Sequence, residues 1–465
     1  MTARTGRASG LSGNYAYWTL VVLLLAAFLL GGSSREDVPG LIVLRPLAIV
    51  CLAIGLVGLT RDEIARFRWP LGLMLAWIGL ILLHLVPLPP SLWTTLPGRD
   101  LVAEAAVASG IPQPWRPLTM VPWRGWNAFY AACVPLAALV LAIRCTPEQR
   151  QSLVPLIVGI GLVSGALGVL QLAGGESIGL SLYGERSEGS PIGLFANRNH
   201  AAAFRCCLIL MVPVLIRMVP DGSDGNRMRQ ILAAMVVVLV FPLILVTGSR
   251  AGLMLAMLAI PLAAAIYLIP RNRNAGAKRR TMLWVAAVVG GLALLLMLSV
   301  TLARSDALDR LLATASADEM RLLSWGPIVE IARAYLPLGA GFGSFVEAYQ
   351  VNEAAVLLQP SYLNHAHNDL LEIAMEGGIP ALLLLAVAVL GSFFRTIRVA
   401  RSWHGDDSFP YLAMLGAGVL LLLGLASLAD YPLRTPALGC VLAIAAVWLA
   451  ADDRSAAPVR RKTGW

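Results

Sequence analysis

The chain has 465 residues, 58% hydrophobic and 14% charged, and a mean hydropathy of +0.74. That composition excludes a water-soluble globular protein. The formal net charge of +9 does not imply a nucleic-acid partner, because the basic residues are distributed as a membrane-topology signal.

Crossing a hydrocarbon core takes about 20 apolar residues as helix. Suitable runs lie at 15–32, 41–60, 69–86, 126–143, 152–173, 200–219, 231–247, 251–269, 281–303, 369–393, 411–429 and 436–451. They predict an all-α polytopic membrane protein with about 12 transmembrane helices. The alternating strands of a β-barrel are absent. A cytoplasmic N-terminus places most of the 36 Lys and Arg residues, including the dense 271–280 run, on the cytoplasmic side together with both termini. The first run lacks a small-residue cleavage site and reads as a signal anchor. The six cysteines lie in or beside spans and no Cys/His set has zinc spacing, so neither disulfides nor a structural metal is expected.

Residues 1–303 hold the first nine spans and two outer loops, 87–125 (rich in Pro and Trp) and 174–199 (rich in Gly and Ser). A large loop outside the membrane follows at 304–368, then the last three spans at 369–451 and a basic cytoplasmic tail at 452–465. A loop as long as 304–368 carries function or disorder. Within it, Arg321 to Tyr335 reads as a short amphipathic helix with Leu322, Trp325, Ile328, Val329, Ala332 and Tyr335 on one face. Gly339-Ala340-Gly341-Phe342-Gly343-Ser344-Phe345 reads as a turn that needs positive φ. It is not a dinucleotide loop, because it follows a helix instead of linking a strand to one.

Polar residues in or beside the spans gather toward one membrane face: Arg45, His84, Gln171, Arg205, Glu372 and Glu376 fall in the outer halves of their helices. Such residues face a bundle interior or a wet cavity. Three arginine-bearing segments surround the predicted cavity: Phe195-Ala196-Asn197-Arg198-Asn199-His200, Thr247-Gly248-Ser249-Arg250-Ala251-Gly252, and Arg321 in the long loop. The planar guanidinium fork matches phosphate oxygens, so the set points to a diphosphate ligand.

The densest chemistry lies between Asn364 and Gly378, where a polar loop re-enters an apolar helix. Asp369, Glu372 and Glu376 are three and four residues apart and share one helix face. Glu376, about 10 Å deeper than Asp369 at 1.5 Å per residue, should pair with a buried donor. His367 is the candidate general base, since an ordinary imidazole titrates near 6.5 and accepts a proton at neutral pH. His365 and His200 are secondary candidates. The aspartate pairs that could hold a divalent ion, Asp406-Asp407 and Asp452-Asp453, fall on the cytoplasmic side, so a metal-independent mechanism is expected.

These segments together resemble the O-antigen ligase and O-antigen polymerase superfamily of bacterial envelopes. The resemblance rests on the 195–200 segment, Gly248 to Gly252, Arg321 with Trp325, Gly339 to Phe345, and His367-Asn368 with Gly378. It implies an inner-membrane glycosyltransferase acting at the periplasmic face. Its donor would be an undecaprenyl-diphosphate-linked glycan and its acceptor lipid A-core or another glycan or protein, with no cofactor. The family's two key arginines match Arg250 and Arg321, its histidine matches His367, and its late acidic residue matches Asp430 in Asp430-Tyr431-Pro432-Leu433-Arg434. Asn197, Arg198, His200, His365, Asn368, Glu372 and Asp430 are the candidate substrate-binding residues. The ligase pattern places Gly, Thr or Tyr three residues after Gly378, where this chain has Ala381. Ligase, polymerase and protein-directed transferase therefore remain open at this level. A transporter would place polar sites near the midplane between repeated halves, whereas here they lie to one side and no repeat is present.

Overall fold

The computed structural model describes residues 5–174, 180–183, 190–219, 222–235, 239–268, 323–353, 355, 358, 362–402 and 410–451. The N-terminal part runs α1 (Thr5–Leu30), α2 (Gly40–Leu56), α3 (Arg61–Arg66), α4 (Arg68–His84), β1 (Pro87–Leu88), α5 (Pro90–Trp93), α6 (Asp100–Ala108), β2 (Arg116–Pro117), α7 (Pro122–Arg144) and α8 (Pro147–Gly174). There follow α9 (Arg198–Met218), α10 (Ser223–Met235), α11 (Phe241–Val246), α12 (Arg250–Leu268), α13 (323–335), α14 (Phe345–Asn352), α15 (Asp369–Arg401), α16 (Tyr411–Ala426), a 3-10 turn (Pro432–Arg434) and α17 (Pro436–Ala450).

Among the described residues five apolar helices, α7, α8, α9, α12 and α15, are long enough to span a membrane. Five shorter ones accompany them: Asn14–Leu30 within α1, α2, α4, α16 and α17. The chain is a multi-pass membrane protein. Of the run at 231–247, residues 231–235 belong to α10 and 241–246 form α11, while 236–238 lie outside the described residues. The described part of α10 is mainly polar from Ser223 to Arg229, and Pro242 stands in the first turn of α11. The span expected at 281–303 lies outside the described residues.

The helices sort their residues by what they face. α9 packs on α12, α2 and α17 on α7, and α16 on α17. They enclose a core that runs from Leu20 and Phe28 through Val140, Phe204 and Leu210 to Val441 and Trp448. Trp448, fully enclosed, donates its indole N–H to the Arg150 carbonyl at 3.0 Å. In contrast, Trp18, Val22, Leu25 and Leu29 on α1 and Leu383, Val387, Leu390 and Phe394 on α15 stand exposed at helical spacing. Stripes that large are stable where the surrounding solvent is lipid.

At one end of the bundle the extramembrane segments form a cap. A two-residue ladder pairs Pro87 with Pro117 and Leu88 with Arg116. Buried Arg99 donates to the carbonyls of Leu118 (2.7 Å) and Gly339 (3.1 Å) and lies over the Tyr335 ring at 5.3 Å. Burial lowers its pKa to about 10, against a weaker opposite effect of Tyr335. Arg124 ties Glu36 in the α1–α2 loop to Glu347 on α14.

The glycine run joins this cap to α15 through a swap of backbone partners. Pro380 has no N–H for the Glu376 carbonyl, and the helix breaks at Gly378 (φ 59°, ψ −152°). The Gly341 N–H satisfies Glu376 O at 2.8 Å, and the Ala340 N–H satisfies Met375 O at 2.8 Å. The displaced Ile379 N–H donates to Pro337 O at 2.9 Å. Gly339 and Gly341 have φ of 83° and 101°, as the sequence requires of them, and a Cβ on Gly339 would meet Glu376 O at 2.4 Å. Ala381 is fully buried with Phe342 and Ile81, so packing dictates the small residue there. Gly378→Ala should therefore destabilise the protein by about 1 to 3 kcal/mol or more, since its backbone region is open essentially to glycine alone and the new Cβ would lie 2.3 Å from Pro337 O. Thermal unfolding in detergent reads this, and an unchanged midpoint would refute it.

Candidate active site

The α15 N-terminus, the α9 N-terminus and the α16–α17 loop meet on the buried carboxylate of Asp430, which is 2% exposed. Its Oδ2 accepts from the side-chain amides of Asn197 (3.0 Å) and Asn199 (2.6 Å). Its Oδ1 accepts from the Tyr431 backbone N–H (3.1 Å) and lies 3.1 Å from His367 Nδ1. His200 Nε2 stands 4.0 Å from Oδ2. An ionised carboxylate only accepts, so the His367 nitrogen facing it is the one that carries a proton, and Nε2 is the nitrogen whose lone pair a neutral ring would present.

Local sequence explains this placement. Asn197 caps α9 by accepting from the Asn199 N–H, which turns both asparagine side chains toward Asp430. Asn368 caps α15 by accepting from the N–H groups of Leu370 and Leu371 at 3.0 and 3.3 Å. His367 sits just before that cap at φ 49°, the left-handed region that non-glycine residues rarely occupy. The conformation directs its ring at Asp430 and onto Tyr431, whose ring centroid is 4.9 Å away. Tyr431 also packs against His365 (4.2 Å) and His200 (5.0 Å), so one phenol ring touches three imidazoles.

A second histidine–carboxylate pair lies beside the first. His365 Nδ1 is 2.8 Å from Glu372 Oε1, and Glu372 Oε2 accepts the Ala366 N–H at 2.9 Å. Trp325 on α13 donates its indole N–H to the Ala366 carbonyl at 3.1 Å, holding the loop between the two histidines. Arg434 reaches Asp369, Glu372 and Glu376 together. The donor expected for Glu376 is therefore Arg434, with the Phe345 N–H at 3.3 Å as a further partner. Near this pair Glu36 is half-buried. Burial pushes its carboxyl pKa up, Arg124 opposes that, and Glu347 adds to the rise.

The expected residues thus fall into distinct places. Asn197, His200, His367 and Asp430 form one cluster, and His365 and Glu372 form its neighbour. Arg250 is the first residue of α12 and is exposed. The preceding Ser249 donates its hydroxyl to Asn199 Oδ1 at 2.7 Å, which connects the Arg250 turn to the Asp430 cluster. Arg198 stands half-buried between Asn197 and Asn199. Arg321 lies outside the described residues. Sequence reasoning left Asn199, Ser249, Tyr431 and Arg434 without roles. For Arg434 a signal existed: three acids on one face of an apolar helix demand a cation.

Residues 235–386 match a family described as O-antigen ligase. The match covers α11, α12, α13, α14 and the start of α15, and with them Arg250, Arg321, His365, His367 and Glu372. It bears out the resemblance to the O-antigen ligase-like superfamily, membrane enzymes of ligase and polymerase type. Asn197 to His200 and Asp430 lie outside the matched stretch and reach the site through the fold. No curated protein matches the chain.

Removing one partner from a buried charge network leaves the others uncompensated. Glu372→Leu should cost on the order of 3 kcal/mol, whereas Glu330→Ala, which breaks an exposed pair with Arg333, should stay within about 0.5 kcal/mol. Paired thermal melts in detergent test this, and equal shifts would count against a tightly coupled cluster.

Proposed function

We propose that the protein is an O-antigen ligase-like glycosyltransferase of the bacterial inner membrane, working at the periplasmic face. It transfers a glycan from an undecaprenyl-diphosphate donor to an acceptor hydroxyl, carried by lipid A-core or by another glycan or protein. The observation that carries the reading is the His367–Asp430 pair, joined through Asn199 and Ser249 to the turn that bears Arg250.

In the proposed reaction His367 Nε2 takes the proton of the acceptor hydroxyl as its oxygen attacks the anomeric carbon. A new C–O bond forms there, the bond from that carbon to the phosphate oxygen breaks, and the lipid diphosphate leaves with the electron pair. Asp430 holds the imidazole in the required tautomer and stabilises the imidazolium that forms. The proton then passes to solvent. Arg250 and Arg321 stabilise the charge developing on the diphosphate, the role for which planar, permanently charged forks are suited. Asn197, Arg198, His200, His365, Asn368 and Glu372 line or order the same end of the bundle. The polyprenyl tail stays in lipid while the sugar diphosphate enters the site.

Transfer by purified protein from lipid-linked glycan to lipid A-core is the test. His367→Ala should lower kcat about 10²- to 10⁴-fold, the usual contribution of a positioned base. Arg250→Ala should lower it about 10²- to 10³-fold. Asp430→Asn, which presents an amide to Asn197, Asn199 and His367, should fall in the same range as His367→Ala. Full activity in His367→Ala or Arg250→Ala would remove the mechanism.

A further inference from the structure

Arg434 closes the 3-10 turn four residues after Asp430. Its side chain is 25% exposed, yet its three nitrogens take three different carboxylates. Nε lies 3.1 Å from Asp369 Oδ1, Nη1 3.1 Å from Glu372 Oε1, and Nη2 3.4 Å from Glu376 Oε2. Those carboxylates are at most 8% exposed. Burial works against the charge of Arg434, and Glu372, Glu376 and Asp369 outweigh it, holding its pKa above the ordinary value.

The grip joins two elements that each supply half of a histidine pair. On α15, Glu372 Oε1 receives Arg434 and His365 together, and His367 stands two residues before Asp369. On the loop, Asp430 and Tyr431 precede Arg434 and hold His367 from the other side. Most of the loop's backbone bonds close it on itself and on the end of α16: the N–H groups of Leu428, Ala429 and Asp430 donate to the carbonyls of Leu425 and Ala426, and those of Arg434 and Thr435 to Tyr431 and Pro432, while the Asp369 N–H joins α15 to the loop by donating to Ser427 O at 2.8 Å.

We propose that Arg434 is a positioning residue of the transfer reaction: by gripping Asp369, Glu372 and Glu376 it sets the 430–434 loop against the start of α15, which brings Asp430 into register with His367 and Glu372 into register with His365. The inference rests on His367 being the base. A lysine cannot replace the guanidinium, because one ammonium cannot face three carboxylates spread along a helix.

Arg434→Lys and Arg434→Ala, assayed as full-length protein in nanodiscs with the lipid-linked donor, test it. Kinetics, the pH profile of kcat and thermal unfolding are read together. Arg434→Lys should remain folded with KM for the donor within about twofold, while kcat falls about tenfold to a hundredfold, as misplacement of a reacting group does. The pH profile of kcat should change shape, and Arg434→Ala should lose more activity than Arg434→Lys. Parental kcat and pH profile in Arg434→Lys would overturn the inference. So would a loss of kcat that follows the loss of folded protein with the profile unchanged. If His367→Ala is inactive while Arg434→Lys behaves as parent, only the positioning role falls; if His367→Ala is active, the reading beneath it falls.

Discussion

A buried carboxylate is costly unless each of its lone pairs is met, and Asp430 imposes that demand at the end of a membrane bundle. It is met by side chains from the start of α9, by the backbone of its own loop and by the imidazole that precedes α15. The ends of three helices distant in sequence must therefore meet at one point. The packing of α9, α16 and α17 keeps them there. Fold and site are in this sense one solution to a single electrostatic problem.

The neighbouring cluster extends the same logic. Arg434, His365 and the Ala366 and Phe345 N–H groups meet three carboxylates carried on one face of α15, leaving Oδ2 of Asp369 buried without a hydrogen-bond partner among the described residues. The kink at Gly378 and Pro380 contributes too. It frees two helix carbonyls, and the glycine run supplies their missing donors, which seats the cap on the helix that carries the histidines. Backbone geometry thus places Phe345 beside Glu376 and holds the cap over the two histidine pairs.

Most of the architecture was legible in the sequence because hydropathy and helix length are local properties. The α7, α8, α9, α12 and α15 spans fall where the apolar runs predict. The run at 231–247 is helical over its described parts, 231–235 in α10 and 241–246 in α11. Within the site, residue types carried the signal for His367, Arg250 and the carboxylate face. Partnership did not, because Asn199 and Asp430 are 231 residues apart and Ser249 reaches them only through the packing of α9 on α12. Arg434 was hidden for a related reason. An arginine beside a span ordinarily reads as a headgroup anchor, and only the three acids it answers reveal its place.

The most direct test is a cryo-electron microscopy map of the protein in nanodiscs with an undecaprenyl-diphosphate sugar bound. The account predicts the diphosphate against Arg250, the anomeric carbon before His367 Nε2, and Nδ1 of that ring still on Asp430. A diphosphate seated away from both Arg250 and His367, or an Asp430 turned away from the imidazole, would contradict it.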